Sequence, residues 1–221
     1  VVSCLVTLEL TGITVSFNSA PLEWWLSLPI IVIYPLLFGW VSYQTATKLA
    51  EHKRRLQVMS TRDGMTGVYN RRHWETMLRN EFDNCRRHNR DATLLIIDID
   101  HFKSINDTWG HDVGDEAIVA LTRQLQITLR GSDVIGRFGG DEFAVIMSGT
   151  PAESAITAML RVHEGLNTLR LPNTPQVTLR ISVGVAPLNP QMSHYREWLK
   201  SADLALYKAK KAGRNRTEVP A

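Results

Sequence analysis

The sequence predicts an α+β fold with a ferredoxin-like core, in which helices pack on one face of an antiparallel sheet. Three features indicate this class. Residues 93–100 are an apolar run typical of a buried central strand. Residues 134–138 and 143–147 flank a Gly-Gly turn and predict a β-hairpin. Helical stretches with apolar residues on one side separate these strands.

Residues 1–43 are predicted to be a membrane segment, the end of a longer sensor region whose start the chain lacks. Residues 24–43 form a run of 20 residues without a charge, rich in Leu, Ile, Val and aromatics, which is long enough to cross a bilayer. A buried core helix is the alternative, but the Trp and Tyr residues and the internal prolines favour a transmembrane helix. Residues 1–17 are interpreted as the remains of a preceding span.

Residues 44–62 are predicted to be a helical linker. Ala46, Leu49, Leu56 and Met59 form a weak apolar stripe, compatible with a short coiled coil or with a single solvated helix. This stretch also carries a cluster of cations against the single Glu51, namely Lys48, Lys53, Arg54, Arg55 and Arg62. By the positive-inside rule, we expect this side of the span to face the cytoplasm.

The overall composition excludes some partners. Lys and Arg number 25 against 22 Asp and Glu, an excess too small to indicate nucleic-acid binding. The two cysteines, Cys4 and Cys85, are not spaced as metal ligands, which is typical of a reducing compartment. The seven histidines form no pair at helical ligand spacing, so we expect no zinc.

The predicted catalytic domain covers residues 63–216, and residues 217–221 form a tail. Helices are predicted at 71–88, 114–129, 151–169 and 193–211, and one further strand at 176–186. Pro151 is expected to open the third of these helices and Gly213 to stop the fourth.

The hairpin turn combines glycines with carboxylates. Gly139 and Gly140 tolerate positive φ and let a phosphate ligand approach the bare backbone. Asp141 and Glu142 follow them at the tip. Taken alone, this pattern also suits an ordinary acidic hairpin.

Asp98, at the end of the central strand, makes a metal site the better interpretation. Burying its carboxylate without a cation or donors would cost several kcal/mol. A strand-end carboxylate beside an acidic pair therefore predicts bound Mg²⁺, with Asp98, Asp141 and Glu142 as ligands. Asp100 is instead predicted to cap the next helix.

A series of ordered motifs over residues 60–216 resembles the GGDEF family, the diguanylate cyclases that join two GTP molecules into cyclic di-GMP. Residues 63–72, DGMTGVYNRR, are similar to the family's opening DxLTGLxNRR signature. DIDHFK at 98–103, NDTWGH at 106–111, the Gly-Asp pair 114–115 and ADLALYKAKKAGRN at 202–215 follow at the family's spacing. The resemblance implies a palm-like nucleotidyl-cyclase core and a bacterial signal that controls biofilm and motility.

The resemblance also implies catalytic roles. Asp98, the carbonyl of Ile99 and Asp141 would hold Mg²⁺ or Mn²⁺, two ions per site. Glu142 would be a further ligand or would accept the proton of the attacking 3′-hydroxyl, and the division between Asp141 and Glu142 stays open. Lys103 would supply a positive charge to the transition state.

Further residues match the family's GTP contacts. Phe102 and Lys103 begin a helix whose free amides attract phosphate. Lys210 and Arg214 match contacts to the terminal phosphates, although as isolated residues they would be surface charges.

Recognition of guanine is assigned to Asn106 and Asp115, which offer hydrogen-bond acceptors and a donor for the base edge. Their alternatives are a turn residue and a helix N-terminal charge. His111 matches a substrate position, and a structural histidine is equally compatible.

One domain carries one set of GTP residues, so the reaction implies a homodimer with a half-site from each chain. Arg130 and Asp133 resemble the family's RxxD inhibitory site at the expected offset from the hairpin, and Arg161 is a second basic contact. Cyclic di-GMP is therefore expected as product and feedback inhibitor. An isolated RxxD tetrapeptide is more often a local ion pair.

Three other interpretations stay open: a GTP- or cyclic di-GMP-binding module without catalysis, a nucleotidyl cyclase of other specificity, and a membrane scaffold with an inert cytoplasmic part. The intact Asp98, Asp141, Glu142 and Lys103 argue against the first. The expected location is the bacterial inner membrane with the catalytic domain in the cytoplasm, and the membrane segment resembles the end of a MASE2-type sensor.

Overall fold

The computed structural model describes residues 4–8, 13–17, 33–59, 61–172, 174 and 176–220. The chain divides into two compact units, Val1–Met59 and Ser60–Ala221. The second unit contains every residue to which the sequence motifs assign chemistry.

The described residues of the first unit form two short strands and one long helix. Strands β1 (Cys4–Leu8) and β2 (Ile13–Phe17) pair antiparallel, and their β-branched residues favour this extended state. This pairing does not fit the expectation that residues 1–17 are the remains of a membrane span.

Helix α1 (Tyr34–Met59) starts inside the predicted span and continues through the predicted linker. Its first ten residues are apolar or uncharged, whereas its second half contains Lys, Arg and Glu. Within the part of the chain that the structure describes, no helix is both long and apolar enough to cross a membrane. Residues 24–32 of the predicted span lie outside the described residues.

The second unit is built on a six-stranded mixed sheet. Its strands are β3 (Tyr69–Asn70), β4 (Ala92–Ile99), β5 (Val134–Gly139), β6 (Glu142–Ser148), β7 (Ile181–Pro187) and β8 (Arg216–Glu218), in the order β3-β5-β6-β4-β7-β8. The four inner strands pair antiparallel. The edge strands β3 and β8 pair parallel with their neighbours, so the sheet is not purely antiparallel as predicted.

Helices cover both faces of this sheet, so the prediction of helices on one face is wrong. The five helices are α2 (Arg71–His88), α3 (Phe102–Trp109), α4 (His111–Thr128), α5 (Ala152–Thr168) and α6 (Tyr195–Lys211). Leu95 and Ile97 of β4 belong to the core formed with α4 and α5. Leu94 and Ile96 belong to the core formed with α2 and α6, because successive strand residues point to opposite faces.

The predicted hairpin and the predicted helix at 71–88 are confirmed. The register of the three central strands then positions the site. Asp98, near the end of β4, lies opposite Glu142 on β6 and Ser182 on β7. The acidic end of the central strand and the hairpin tip therefore meet at one edge of the core.

Candidate active site

Asp98 lies at the centre of an acidic group with one cation in contact. The Asp98 side chain is 11% exposed, and its Oδ2 lies 2.7 Å from Nζ of Lys210. The Asp141 carbonyl accepts a hydrogen bond from the Ile99 amide at 3.3 Å. Burial raises the pKa of Asp98, Lys210 opposes this rise, and repulsion from Asp141 and Glu142 adds to it. The three carboxylates are thus close enough to repel one another.

The donor set suits a hard divalent cation, which prefers carboxylate and carbonyl oxygens. In the described residues, however, no three or more His, Cys, Asp or Glu side chains converge on one point as metal ligands would. Lys210 instead neutralises Asp98. A metal ion held by Asp98, Asp141 and the Ile99 carbonyl therefore requires the Lys210 ammonium to leave Asp98 and the acidic side chains to turn inward.

The hairpin that carries Asp141 and Glu142 is anchored by Arg137. Gly139 and Gly140 have φ of 140° and 53°, conformations that L side chains rarely adopt. A register shift between Arg137 and Gly139 marks a bulge in the hairpin. Arg137 Nε and Nη2 donate to the Gly140 carbonyl at 3.1 and 2.8 Å. These two hydrogen bonds from one guanidinium stabilise the conformation of the turn.

The same arginine ties the hairpin to the opening motif. Its Nη1 lies 3.1 Å from Oδ1 of Asp63, and the Arg137 side chain is only 10% exposed. Thr66 donates to the same carboxylate oxygen through its amide at 3.0 Å and its hydroxyl at 2.6 Å. Burial pushes the pKa of Asp63 upward, but the bonds from Thr66 and Arg137 outweigh it and the pKa is lowered. Sequence reasoning missed this contact.

Asp100 does not cap the next helix, so that prediction is wrong. The cap position of α3 is His101, which makes no side-chain capping bond. Asp100 Oδ1 accepts from the Ser182 hydroxyl at 2.6 Å, and its Oδ2 accepts from the Asn215 amide at 2.8 Å. Arg214 and Asn215 both have left-handed φ, of 61° and 46°. Asp100 therefore fixes the turn that follows α6 and carries Arg214.

The candidate phosphate contacts lie around this acidic edge. Phe102 and Lys103 form the first turn of α3, which begins three residues after the end of β4, and Lys103 is exposed. Lys210 is partly exposed in the last turn of α6, and Arg214 is exposed in the turn beyond it. The structure brings Lys210 and Asp98 together directly.

The candidate base contacts lie on α3 and α4, which are joined at Gly110. Asn106 Oδ1 is buried and has no hydrogen-bond partner. A Cβ placed on Gly114 would overlap this oxygen, so the glycine permits the close approach of the two helices. Asp115 and His111 are exposed near the start of α4. The structure thus places Asn106 against the residue that precedes Asp115.

Asp115 also lines a cavity of about 560 Å³ between α4 and residues 169–172. Asn106 and the hairpin carboxylates are not among the described residues that line it. Of the residues assigned to the base, this cavity therefore includes Asp115 and not Asn106.

The RxxD segment borders a separate cavity of about 220 Å³. The Arg130 amide donates to Asp133 Oδ2 at 2.9 Å, and the Asp133 amide donates to the Arg130 carbonyl at 2.9 Å. Asp133 Oδ1 is buried without a partner, and burial raises the pKa of this carboxyl. Arg161 is exposed on α5 and is not among the described residues that line this cavity.

Comparison with known proteins identifies the domain. The family model described as "Diguanylate cyclase, GGDEF domain" matches residues 60–216. Diguanylate cyclase DosC of Escherichia coli strain K12 is 35% identical over 159 residues, which cover 71% of this chain and 34% of that protein. Cyclic di-GMP phosphodiesterase NbdA of Pseudomonas aeruginosa is 30% identical over 193 residues, covering 81% of this chain and 25% of that one.

A solved structure agrees with these matches. The coiled coil and GGDEF domain of DgcB from Caulobacter crescentus, in complex with c-di-GMP, superimposes with a TM-score of 0.69 and 28% sequence identity. The match covers 82% of this chain and 98% of the DgcB chain. The chain spans about a third of the length of DosC, so the match concerns the shared domain.

Proposed function

The chain belongs to the GGDEF family of diguanylate cyclases, and we propose that it condenses two GTP molecules into cyclic di-GMP with release of two pyrophosphates. The observation that carries this proposal is the buried Asp98 beside Asp141 and Glu142 at the anchored hairpin tip. This arrangement concentrates negative charge at the point where a nucleotide and its cations would meet.

The acidic residues supply the chemistry of phosphodiester formation. Asp98, Asp141 and the Ile99 carbonyl would hold divalent cations, and Glu142 would join them or accept the proton of the 3′-hydroxyl. Bound Mg²⁺ or Mn²⁺, two ions per site, would lower the pKa of that hydroxyl and neutralise the triphosphate. The proton of the 3′-hydroxyl would therefore leave next to the carboxylates of the hairpin.

The cationic residues bind and orient the triphosphate. In the structure Lys210 pairs with Asp98. With substrate bound, Lys210 and Arg214 pair with the terminal phosphates, while Lys103 and the first amides of α3 receive charge near the reacting phosphorus. Asp100 is a positioning residue here, because it fixes the turn that carries Arg214.

Guanine is selected by Asn106 and Asp115. The buried, unpartnered Oδ1 of Asn106 is an acceptor that a base N–H would satisfy. Adenine has no hydrogen on its ring N1 and would leave the Asp115 acceptor unpaired, so it is rejected. His111 lies near these residues at the start of α4 as a further substrate contact.

Each domain provides one half-site, so the active form is a homodimer. The chain of DgcB that resembles this one contains a coiled coil next to its GGDEF domain, which supports pairing through α1. Residues 24–43 would attach the protein to the bacterial inner membrane with the domain in the cytoplasm, a proposal that rests on the sequence alone.

Product inhibition would act through the cavity beside Arg130 and Asp133. The unpartnered Asp133 Oδ1 would accept N–H groups of a guanine edge, and Arg130 would pair with phosphate. Cyclic di-GMP bound there would slow the enzyme without competing with GTP.

A second candidate is a nucleotide-binding module that has lost turnover. One specific observation favours it: a relative of 30% identity is named as a phosphodiesterase, an activity opposite to the one proposed. Such a module would bind GTP or cyclic di-GMP and make no product.

The test measures pyrophosphate release from GTP by the purified chain and by Asp98→Ala and Glu142→Ala variants. Both variants are expected to lose product formation, whereas Glu164→Ala, which removes an exposed carboxylate of α5, retains it. Near-normal turnover by either site variant would show that the acidic assignment is wrong. GTP binding without turnover by the unmodified chain would favour the binding module.

A further inference from the structure

The cavity beside Arg130 has a second wall, formed by Arg62 and Tyr69. Cζ of Arg62 lies 4.8 Å from the centre of the Tyr69 ring, with the guanidinium over the ring. Arg62 Nη1 also donates to the Gly67 carbonyl at 2.6 Å. The guanidinium is therefore held in one orientation before any ligand arrives, which reduces the entropy lost on binding.

The cavity wall has the groups that recognise a guanine nucleotide. Its described charged side chains are the guanidinium groups of Arg62 and Arg130 and the carboxylate of Asp133, and a guanidinium pairs well with a phosphodiester. Asp133 Oδ1 is a buried acceptor without a partner. The planar Arg62–Tyr69 pair offers a stacking surface of the kind that binds bases through their faces.

We propose that Arg62 and Tyr69 form the stacking wall for one guanine base of cyclic di-GMP, whose edge is bound by Asp133 and whose phosphate is bound by Arg130. This rests on the proposed function, because cyclic di-GMP is the product assigned to the chain. The wall belongs to the same domain as the RxxD segment. Arg161 is not part of this wall.

The cavity volume limits how much of the ligand enters. A volume of about 220 Å³ is below the roughly 300–1,000 Å³ of pockets that enclose a small molecule. One base and its adjoining phosphate enter, and the second base lies outside, where it is free to contact another domain.

The wall is also joined to the catalytic hairpin. Arg62 precedes Asp63, which binds Arg137, and Arg137 binds the Gly140 carbonyl. The turn that forms the wall of the product cavity is thus the turn that anchors the hairpin carrying Asp141 and Glu142. Ligand binding in the cavity and the position of the hairpin therefore depend on the same contacts.

The test is calorimetric titration of cyclic di-GMP into the full chain without GTP. Arg62→Met and Tyr69→Leu are expected to weaken binding at least about fivefold, the lower end of what one lost base-stacking contact costs. Tyr69→Phe keeps the ring and should bind within twofold of the unmodified chain. Arg196→Ala removes an exposed arginine of α6, which does not line the cavity, and should also bind within twofold.

Arg62→Lys keeps the charge but lacks the planar face, and it is expected to lose affinity as Arg62→Met does. If circular dichroism shows that Tyr69→Leu disturbs folding, the affinity of Arg62→Lys still tests whether the planar wall binds the base. Normal binding by Arg62→Lys or Arg62→Met, together with lost binding by Arg130→Ala, would overturn the wall and keep the RxxD site. Normal binding by Arg130→Ala as well would overturn the product site itself. Because no turnover is measured, neither result depends on catalysis.

Discussion

Asp63 is the residue that connects the opening motif to the hairpin that carries Asp141 and Glu142. Its carboxylate receives two bonds from Thr66 and one from Arg137, whose side chain is almost fully buried. Removing the carboxylate would leave the guanidinium partly buried without its charged partner. The motif therefore stabilises the hairpin that carries Asp141 and Glu142.

Asp63→Asn is predicted to lower the free energy of unfolding at pH 7 by roughly 1–1.5 kcal/mol, because a neutral amide oxygen accepts weaker hydrogen bonds from Thr66 and Arg137 than a charged carboxylate does. The pKa of Asp63 is lowered in the folded chain from 3.8. Its contribution is therefore present above pH 3.8 and is lost as the pH falls through the lower folded pKa. Urea unfolding followed by circular dichroism should show the difference between the two chains at pH 7 and its decrease toward pH 3. Equal stability at pH 7 would refute the role.

The close contact of Gly114 with Asn106 of α3 offers a test of the predicted base site. A Cβ on this residue would overlap Asn106 Oδ1 and would lie 3.2 Å from the Phe102 ring. Gly114→Ala is predicted to displace the Asn106 amide and weaken GTP binding by about 1–3 kcal/mol, the cost of a lost buried hydrogen bond. Calorimetry measures the affinity. Gly64→Ala is the control, because a Cβ there meets nothing within 4 Å; equal affinities for both variants would remove Asn106 from the base site.

At the level of secondary-structure elements, the packing of β7 against α6 depends on Gly184. A Cβ on Gly184 would overlap the Ala202 carbonyl and the Leu206 amide of α6. Those are backbone atoms, so the clash cannot be relieved by turning a side chain. Because α6 carries Lys210, this packing also positions a candidate phosphate contact.

Gly184→Ala is predicted to destabilise the fold by about 3 kcal/mol, since overpacking forces the strand and helix apart. Gly131→Ala is the matched control, because a Cβ on Gly131 meets nothing within 4 Å. Urea denaturation of both variants measures the difference. If both unfold at the same urea concentration, the helix is not held against the strand as described.

Strong local patterns were sufficient for most elements. The helix at 71–88 and the hairpin follow from apolar spacing and the glycine turn. Strands β3 and β8 have two and three residues and carry no such pattern. The predicted strand at 176–186 is observed only from Ile181 to Pro187, although Val177 and Leu179 remain buried. Burial alternates there without strand pairing, which periodicity alone cannot distinguish.

Covered faces and long-range contacts were harder to predict. Every residue of β4 is buried, as expected for a strand covered on both faces. The continuous apolar run at 93–100 already indicated this two-sided coverage, although the prediction placed helices on one face only. The Asp63–Arg137 pair joins residues 74 positions apart, and the Asp100–Asn215 bond joins residues 115 apart. No local sequence pattern encodes such contacts. For the same reason, the sequence does not predict that Arg62 and Tyr69 line one cavity together with Arg130.

At the level of the whole molecule, the proposed reaction needs two chains. The described domain has one acidic hairpin and one candidate base site, whereas the proposed reaction joins two GTP molecules. Turnover per chain is therefore predicted to fall with dilution below the dimer dissociation constant, because the rate follows the dimer concentration. Initial rates over a wide range of protein concentration, with molecular mass measured in parallel, check this. A constant rate per chain in a monomeric sample would exclude the half-site arrangement.

The most direct test of the central claim is the identity of the product. The purified full chain is incubated with GTP and Mg²⁺, and the nucleotides are identified by mass spectrometry. The expected product is cyclic di-GMP, with two pyrophosphates released for each molecule formed. Recovery of unchanged GTP, or of GDP or GMP without any cyclic dinucleotide, from a chain that binds GTP would contradict it.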